Sequence, residues 1–236
     1  MSSDREPTPE PAVPRAAVVD TELGGWTQVA AVCAHPDDET FGLGGIIAAL
    51  VEAGTDVRLV CLTCGESSAL GAGDDLAVRR RHELTAAADA LGIGQVSIEQ
   101  HPDGALAQVL LDDLVADVVA SAGDVDALLA FDHGGITGHP DHQRATDAAV
   151  AAGRQLGVPV LGWALPVPVA AALHAEFGAP FVGRSEAELE LALTVDRTRQ
   201  QVAMACHRSQ LTDNPVPQRR IDLQSDVDHL RALYRP

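Results

Sequence analysis

Short unbroken apolar runs alternate along the chain with longer stretches in which apolar positions recur every three or four residues. The runs predict strands over residues 29–34, 57–63, 95–98, 127–131, 158–163 and 189–195, since four to eight apolar residues between turn formers suit a buried strand. The periodic stretches predict helices over 43–53, 76–91, 107–120, 141–156 and 198–207. Asp74 or Asp75 is placed to cap the second of these. Strands alternating with helices imply right-handed crossovers and a mainly parallel sheet with helices on both faces. The fold class is therefore α/β, a Rossmann-like three-layer domain, expected as a single unit over residues 26–236. Residues 1–14 are rich in proline and acid without a signal-type apolar core, and a disordered N-terminal tail is expected over 1–25. Beyond Asn214 the pattern fades and predicts no element.

One apolar stretch tests this reading. Residues 156–173 carry no charge over a length that reaches the membrane-span threshold. Pro159, Pro166 and Pro168, with Gly157 and Gly162, interrupt it, so a buried strand followed by a turn and a short helix is expected. No membrane partner follows. The composition is 46% hydrophobic but only 3% aromatic, which calls for an aliphatic, alanine-rich core. The formal net charge of −18 disfavours nucleic acid and anionic lipid as partners. The chain has no lysine, so Schiff-base chemistry is excluded. Cys61 and Cys64 form a C-x-x-C, but they lie in and just beyond an apolar run, and with Cys33 and Cys206 they read as packing residues in a reduced, cytoplasmic setting.

Two motifs carry chemistry, each expected beyond the carboxyl end of a strand, where α/β sheets bind ligands. The first is Ala34-His35-Pro36-Asp37-Asp38-Glu39. Three adjacent carboxylates repel one another unless something positive joins them, and a divalent cation beside His35 does so most simply. An acidic helix N-terminus accounts for the carboxylates but not for the histidine. The second is Gly138-His139-Pro140-Asp141-His142, where two histidines three apart flank an aspartate at a helix start.

These motifs together resemble the LmbE-like, or PIG-L, family of zinc N-deacetylases, which includes enzymes acting on N-acetylglucosaminyl conjugates. The resemblance runs from about residue 30 to 210. Arg80-Arg81-His82-Glu83, Asp103-Gly104 and His207-Arg208-Ser209-Gln210 are similar to further family segments. The resemblance implies that His35, Asp38 and His142 bind zinc, with Fe(II) an alternative in the cell. It implies that Asp37 is the general base, that His139 faces the oxyanion or protonates the amine, and that Asp141 orients His139. Arg80 and Asp103 are then the substrate-binding pair, turned to sugar hydroxyls, while His207 and Gln210 brace the site. The implied substrate is a small acetylated amino sugar, cleaved to acetate and a free amine; subunit number stays open. Where relatives carry a lysine at the start of the last helix, this chain has Arg197 or Arg199. His133 is equally suited to the pocket wall and to a solvated loop.

Two other readings compete. A zinc amidase of the same fold cleaving a larger amide conjugate carries identical motifs. A non-catalytic nucleotide-binding module is suggested by Gly42-x-Gly44-Gly45 after the first strand. That run lacks the dinucleotide spacing, and Asp37-Asp38-Glu39 would repel a pyrophosphate.

Overall fold

The computed structural model describes residues 23, 25–71 and 73–236. Apart from Leu23 and Gly25, the tail expected over residues 1–25 lies outside the described residues. Five strands, β1 (Gln28–Cys33), β2 (Asp56–Thr63), β3 (Gln95–His101), β4 (Ala127–Phe131) and β5 (Val160–Pro166), run parallel in the order β3-β2-β1-β4-β5. The two-residue β6 (Gly183–Arg184) also pairs with β5, in parallel. Past β5 the sheet turns antiparallel: β7 (Leu191–Thr194) forms the edge, and β8 (Val227–Tyr234) lies between β5 and β7.

Helices cover both faces. They are α1 (Asp38–Phe41), α2 (Gly44–Glu52), α3 (Leu76–Leu91), α4 (Leu111–Ala122), α5 (Gly135–Gly138), α6 (Pro140–Leu156), α7 (Val167–Phe177), α8 (Thr198–Met204), α9 (Arg208–Leu211) and α10 (Val216–Gln224). Strand alternation feeds two separate cores. In β1, Val29, Ala31 and Cys33 point into a core shared with α2 and α3, whereas Ala30 and Val32 point into one shared with α4 and α6. The small residues of α6, Ala145, Ala148, Ala149 and Ala152, are what let that helix lie close to the sheet. Most core contacts are aliphatic, as the composition requires.

The expected helix over 43–53 stands as α2, and the four-residue α1, which begins inside the acidic motif, precedes it. The expected helix over 198–207 stops at Met204. The uncharged stretch over 156–173 becomes β5 and α7, and among the described residues no helix is long and apolar enough to cross a membrane. The unreadable segment after Asn214 forms α10 and β8, the one strand that enters the sheet between two others in reverse. Its polarity has a reason. Asp228 is fully buried and accepts from Arg197 Nη1 at 2.5 Å and Trp163 Nε1 at 3.2 Å, with Arg220 Nη1 at 3.9 Å. All four cysteines are free, and burial pushes the Cys33 and Cys61 thiols well up, as inert packing residues require.

Candidate active site

The acidic motif leaves β1 and folds back on itself before α1. Asp37 takes φ 130°, ψ −25°, a region that non-glycine residues rarely occupy. Its neighbours hold it there. Its N–H donates to Glu39 Oε2 at 2.9 Å, and its carbonyl accepts from Phe41 N at 2.7 Å and Thr40 Oγ1 at 2.9 Å. Glu39 is in turn fixed by His207 Nε2, 2.6 Å from Oε1, with both side chains fully buried. Arg80 reaches across from α3, donating to Asp37 Oδ2 at 2.9 Å, to Gly65 O at 2.8 Å and to Pro36 O.

The turn brings His35 and Asp38 to His142. His35 Nδ1 lies 3.1 Å from His142 Nε2 and 3.7 Å from Asp38 Oδ2, and Asp38 Oδ1 lies 3.1 Å from His142 Nε2. Bonds of about 2.0–2.1 Å to a tetrahedral ion separate ligand atoms by roughly 3.3–3.4 Å, and the two separations at His142 Nε2 are close to that value. The remaining atoms of each ligand are anchored. Asp38 Oδ2 accepts from Ala34 N at 3.1 Å and His35 N at 2.9 Å. His142 Nδ1 is 3.1 Å from Gly135 O, so the proton is assigned there and Nε2 keeps its lone pair. His35 Nε2 is 3.1 Å from Asp103 Oδ1 and 3.3 Å from Asp141 Oδ2, which leaves Nδ1 free in the same way. A ligand atom of His139 also lies within 4.8 Å of those of His35 and His142.

The charge balance favours a cation. Burial alone would lower the His35 pKa, but its bonds to Asp103 and Asp141 and the nearby Asp38 charge raise it to about 10. Burial would raise Asp38, yet the His142 and His35 charges hold it below the usual carboxylate range. Asp37 is lifted to about 6, chiefly by burial, against the pull of the Arg80 guanidinium. His139 is lowered by burial and by the His142 and His35 charges, which favours the neutral imidazole. Its Nδ1 accepts from Asp141 N at 3.2 Å, which places the proton on Nε2 as a donor.

Three of these side chains have protein partners that their expected roles do not name. Asp141 does not orient His139 through its carboxylate. That carboxylate accepts from Gly104 N at 2.7 Å and Leu106 N at 3.1 Å and holds His35, because the loop after β3 packs over the start of α6. Arg80 is 3% exposed and turns its guanidinium to Asp37 and two carbonyls. Asp103, half-buried, divides its carboxylate between His35 and Ser67 N, the latter at 2.7 Å. Both still line the cavity, but as parts of its frame. Neither His133 nor Arg197 lines it: His133 is exposed, 3.7 Å from Asp147, and Arg197 is held by Asp228.

The cavity over the site measures about 500 Å³. Several of its residues were invisible in sequence. Ser67 and Ser68 follow β2 in a loop with no motif of its own, and Gln210 Oε1 fixes Ser68 Oγ at 2.8 Å. Phe131 ends β4 with its ring 5.0 Å from that of His142, and 5.4 Å from that of Trp163. The only signal for these aromatics was scarcity, since three of the chain's four phenylalanines and one of its two tryptophans line this cavity.

Comparison with known proteins agrees with this architecture. A model of the family described as PIG-L: GlcNAc-PI de-N-acetylase matches residues 30–153. The 1D-myo-inositol 2-acetamido-2-deoxy-alpha-D-glucopyranoside deacetylase of Mycolicibacterium vanbaalenii is 32% identical over 230 residues, covering 78% of this chain and 81% of that protein. Among solved structures, a deacetylase of the teicoplanin biosynthesis pathway superposes with a TM-score of 0.67 at 20% identity, over 87% of this chain and 97% of that one. The N,N'-diacetylchitobiose deacetylase of Pyrococcus horikoshii gives a TM-score of 0.61 at 21% identity, over 91% and 86%. At such identities the two structures speak for the fold alone. The match across both metal-type motifs, with the identity to the Mycolicibacterium protein, places the chain in the PIG-L, GlcNAc-PI de-N-acetylase family.

Proposed function

We propose that this chain is a zinc-dependent N-deacetylase that removes acetyl from an N-acetylglucosamine-type sugar or small conjugate, using one domain over residues 26–236. The observation that carries this reading is the approach of His35 Nδ1 and Asp38 Oδ1 to His142 Nε2 beside an independently held carboxylate, Asp37. Two nitrogens and one carboxylate are the donor set of hydrolytic zinc sites. A zinc ion held there would supply Lewis acidity to the amide oxygen and to the attacking water.

The chain's own groups account for the proton movements. Asp37, ionised at neutral pH and aimed by Arg80, takes a proton from the attacking water. His139, neutral with its proton on Nε2, donates to the oxygen on which charge develops. Asp37 then returns its proton to the departing nitrogen, so the C–N bond breaks to acetate and a free amine. Asp141 and Asp103 keep the His35 ring in the required tautomer. Sugar hydroxyls meet the polar loops after β2, with Ser67 and Ser68, and after β3, with Asp103 and Gly104. The related Mycolicibacterium protein is named for an acetamido sugar linked to inositol, which supports an amino-sugar conjugate over a peptide.

The test is a deacetylation screen with zinc-loaded protein over N-acetylglucosamine, its conjugates, acetylated peptides and acetylated polyamines. Conjugates are expected to react fastest, since remote binding energy aligns the amide. Turnover of peptides or polyamines with none of any sugar would overturn the substrate. Full zinc occupancy after alanine replacement of each of His35, Asp38 and His142 would overturn the ligand set.

A further inference from the structure

The turn between β4 and α6 carries a buried carboxylate that neither the metal-type centre nor the cavity lining uses. Asp132, the first residue after β4, is 4% exposed, and its N–H extends the β4–β5 ladder by donating to Trp163 O at 2.9 Å. From there the chain bends back. Asp132 Oδ2 accepts from Gly134 N at 2.9 Å, and Asp132 O accepts from Gly135 N at 2.9 Å, so a short side-chain acceptor closes the turn. Two arginines from distant elements hold that carboxylate. Arg184 of β6 donates to Oδ2 through Nε at 2.8 Å and Nη2 at 2.5 Å, and Arg231 of β8 donates to Oδ1 through Nη1 at 3.0 Å.

What the turn presents is the Gly135 carbonyl. It lies 3.1 Å from His142 Nδ1, the contact that leaves Nε2 facing His35 Nδ1 and Asp38 Oδ1. The turn also rests directly on that histidine, since a Cβ added at Gly135 would stand 3.4 Å from the Cβ of His142. Just beyond it, Ile136 adopts φ 65°, ψ −57°, a conformation that β-branched residues rarely take. Such a backbone persists only where surrounding contacts over-determine it. Here Ile136 O accepts from Val182 N at 2.7 Å, two residues before Arg184. The segment that carries Arg184 therefore grips the turn twice, once at Ile136 and once at Asp132.

We propose that Asp132 is a positioning residue for the metal centre: pinned by Arg184 and Arg231, it sets the turn at Gly134 and Gly135 and so aims the Gly135 carbonyl at His142 Nδ1. This rests on the reading of His35, Asp38 and His142 as zinc ligands, and it extends the support of that set to a carboxylate that touches neither ion nor substrate. The effect travels through one hydrogen bond to the far nitrogen of a ligand imidazole, the contact that fixes a ligand's tautomer and direction.

Asp132→Ala and Asp132→Asn separate this role from a purely structural one, because asparagine keeps the short acceptor that closes the turn while giving up the charge. Zinc affinity is measured by competition with a chromophoric chelator. The metal-free chains are compared by nitrogen-15 NMR for an exchange-protected His142 Nδ1–H, assigned by its absence in His142→Ala. Asp132→Ala is expected to weaken zinc binding roughly 10-fold or more, as for other groups that hold a ligand histidine from behind, and to lose the protected signal. Asp132→Asn should keep the signal and bind zinc about as tightly as the wild-type chain. Adding Arg184→Met to Asp132→Ala removes one uncompensated charge, so the double variant serves if the single one does not fold. Unchanged zinc affinity or a retained signal in a folded alanine chain overturns the proposal, as does an asparagine variant that behaves like alanine. If neither alanine chain folds, Asp132 is structural and the proposal falls. A wild-type chain that shows the signal, loses it on Asp132→Ala and yet binds no zinc would sink the ligand reading and leave the positioning of His142 standing.

Discussion

Asp37 occupies a backbone region that costs a non-glycine residue ~1–3 kcal/mol, and four separate groups keep it there. Such strain next to metal-type ligands fits a side chain whose position matters more than local stability. Asp37→Asn, which tolerates positive φ, is expected to retain zinc by elemental analysis and lose at least ~100-fold in kcat. Loss of zinc in that variant, with zinc retained in Asp38→Asn, would reverse the two roles. Arg80 acts on Asp37 in a second way, through charge. Its guanidinium lowers the Asp37 pKa against burial, so removing it lets the pKa rise and leaves less carboxylate at any given pH. Arg80→Met should therefore move the acid limb of kcat/KM to higher pH with zinc content unchanged. A limb that stays put or moves down contradicts the pairing. His35, Asp37, Asp38, His139 and His142 were all legible in sequence because the two motifs place them next to one another. The roles of Arg80, Asp103 and Asp141 were not, since each depends on which distant loop the side chain reaches.

At the scale of elements, the last strand shows how polar residues conceal a buried segment. The segment that forms β8 predicts no element in sequence, yet Asp228 within it is fully buried among Arg197, Arg220 and Trp163. These contacts join α8, α10 and β5 to the strand and secure the antiparallel half of the sheet. Removing one partner of a buried charge cluster leaves the others uncompensated, at a cost of about 3–5 kcal/mol. Asp228→Ala should accordingly lower the urea midpoint by that equivalent; a change within about 0.5 kcal/mol, as for a surface position, would show the cluster to be dispensable. The parallel strands were easier to read because burial on both faces makes them continuous apolar runs. The short α1 was not readable, because it follows from the fold-back of the acidic turn.

For the whole molecule, the carboxylates gathered around one cavity make stability and metal occupancy interdependent. An ion that binds the folded chain alone, at a concentration 100 times its Kd, stabilises it by about 2.7 kcal/mol. For a domain of this size that corresponds to roughly 5–10 °C in Tm. Chelation should lower Tm by that amount in the wild-type chain and hardly at all in His142→Ala. An equal drop in both would place the ion elsewhere. The net charge of −18 adds a general repulsion toward anionic ligands, consistent with a neutral sugar conjugate as the substrate.

The sequence by itself determined the α/β class, the parallel half of the sheet and the two clusters of metal-type donors, because each is encoded over a few neighbouring residues. Only the tertiary structure decided what depends on contacts between distant segments. It inserted β8 between β5 and β7, turned Arg80 onto Asp37 and Asp141 onto His35, and collected scarce aromatics from β4, β5 and the loop before β6 into one wall. No local pattern specifies such meetings, since they arise from the order in which the strands lie side by side.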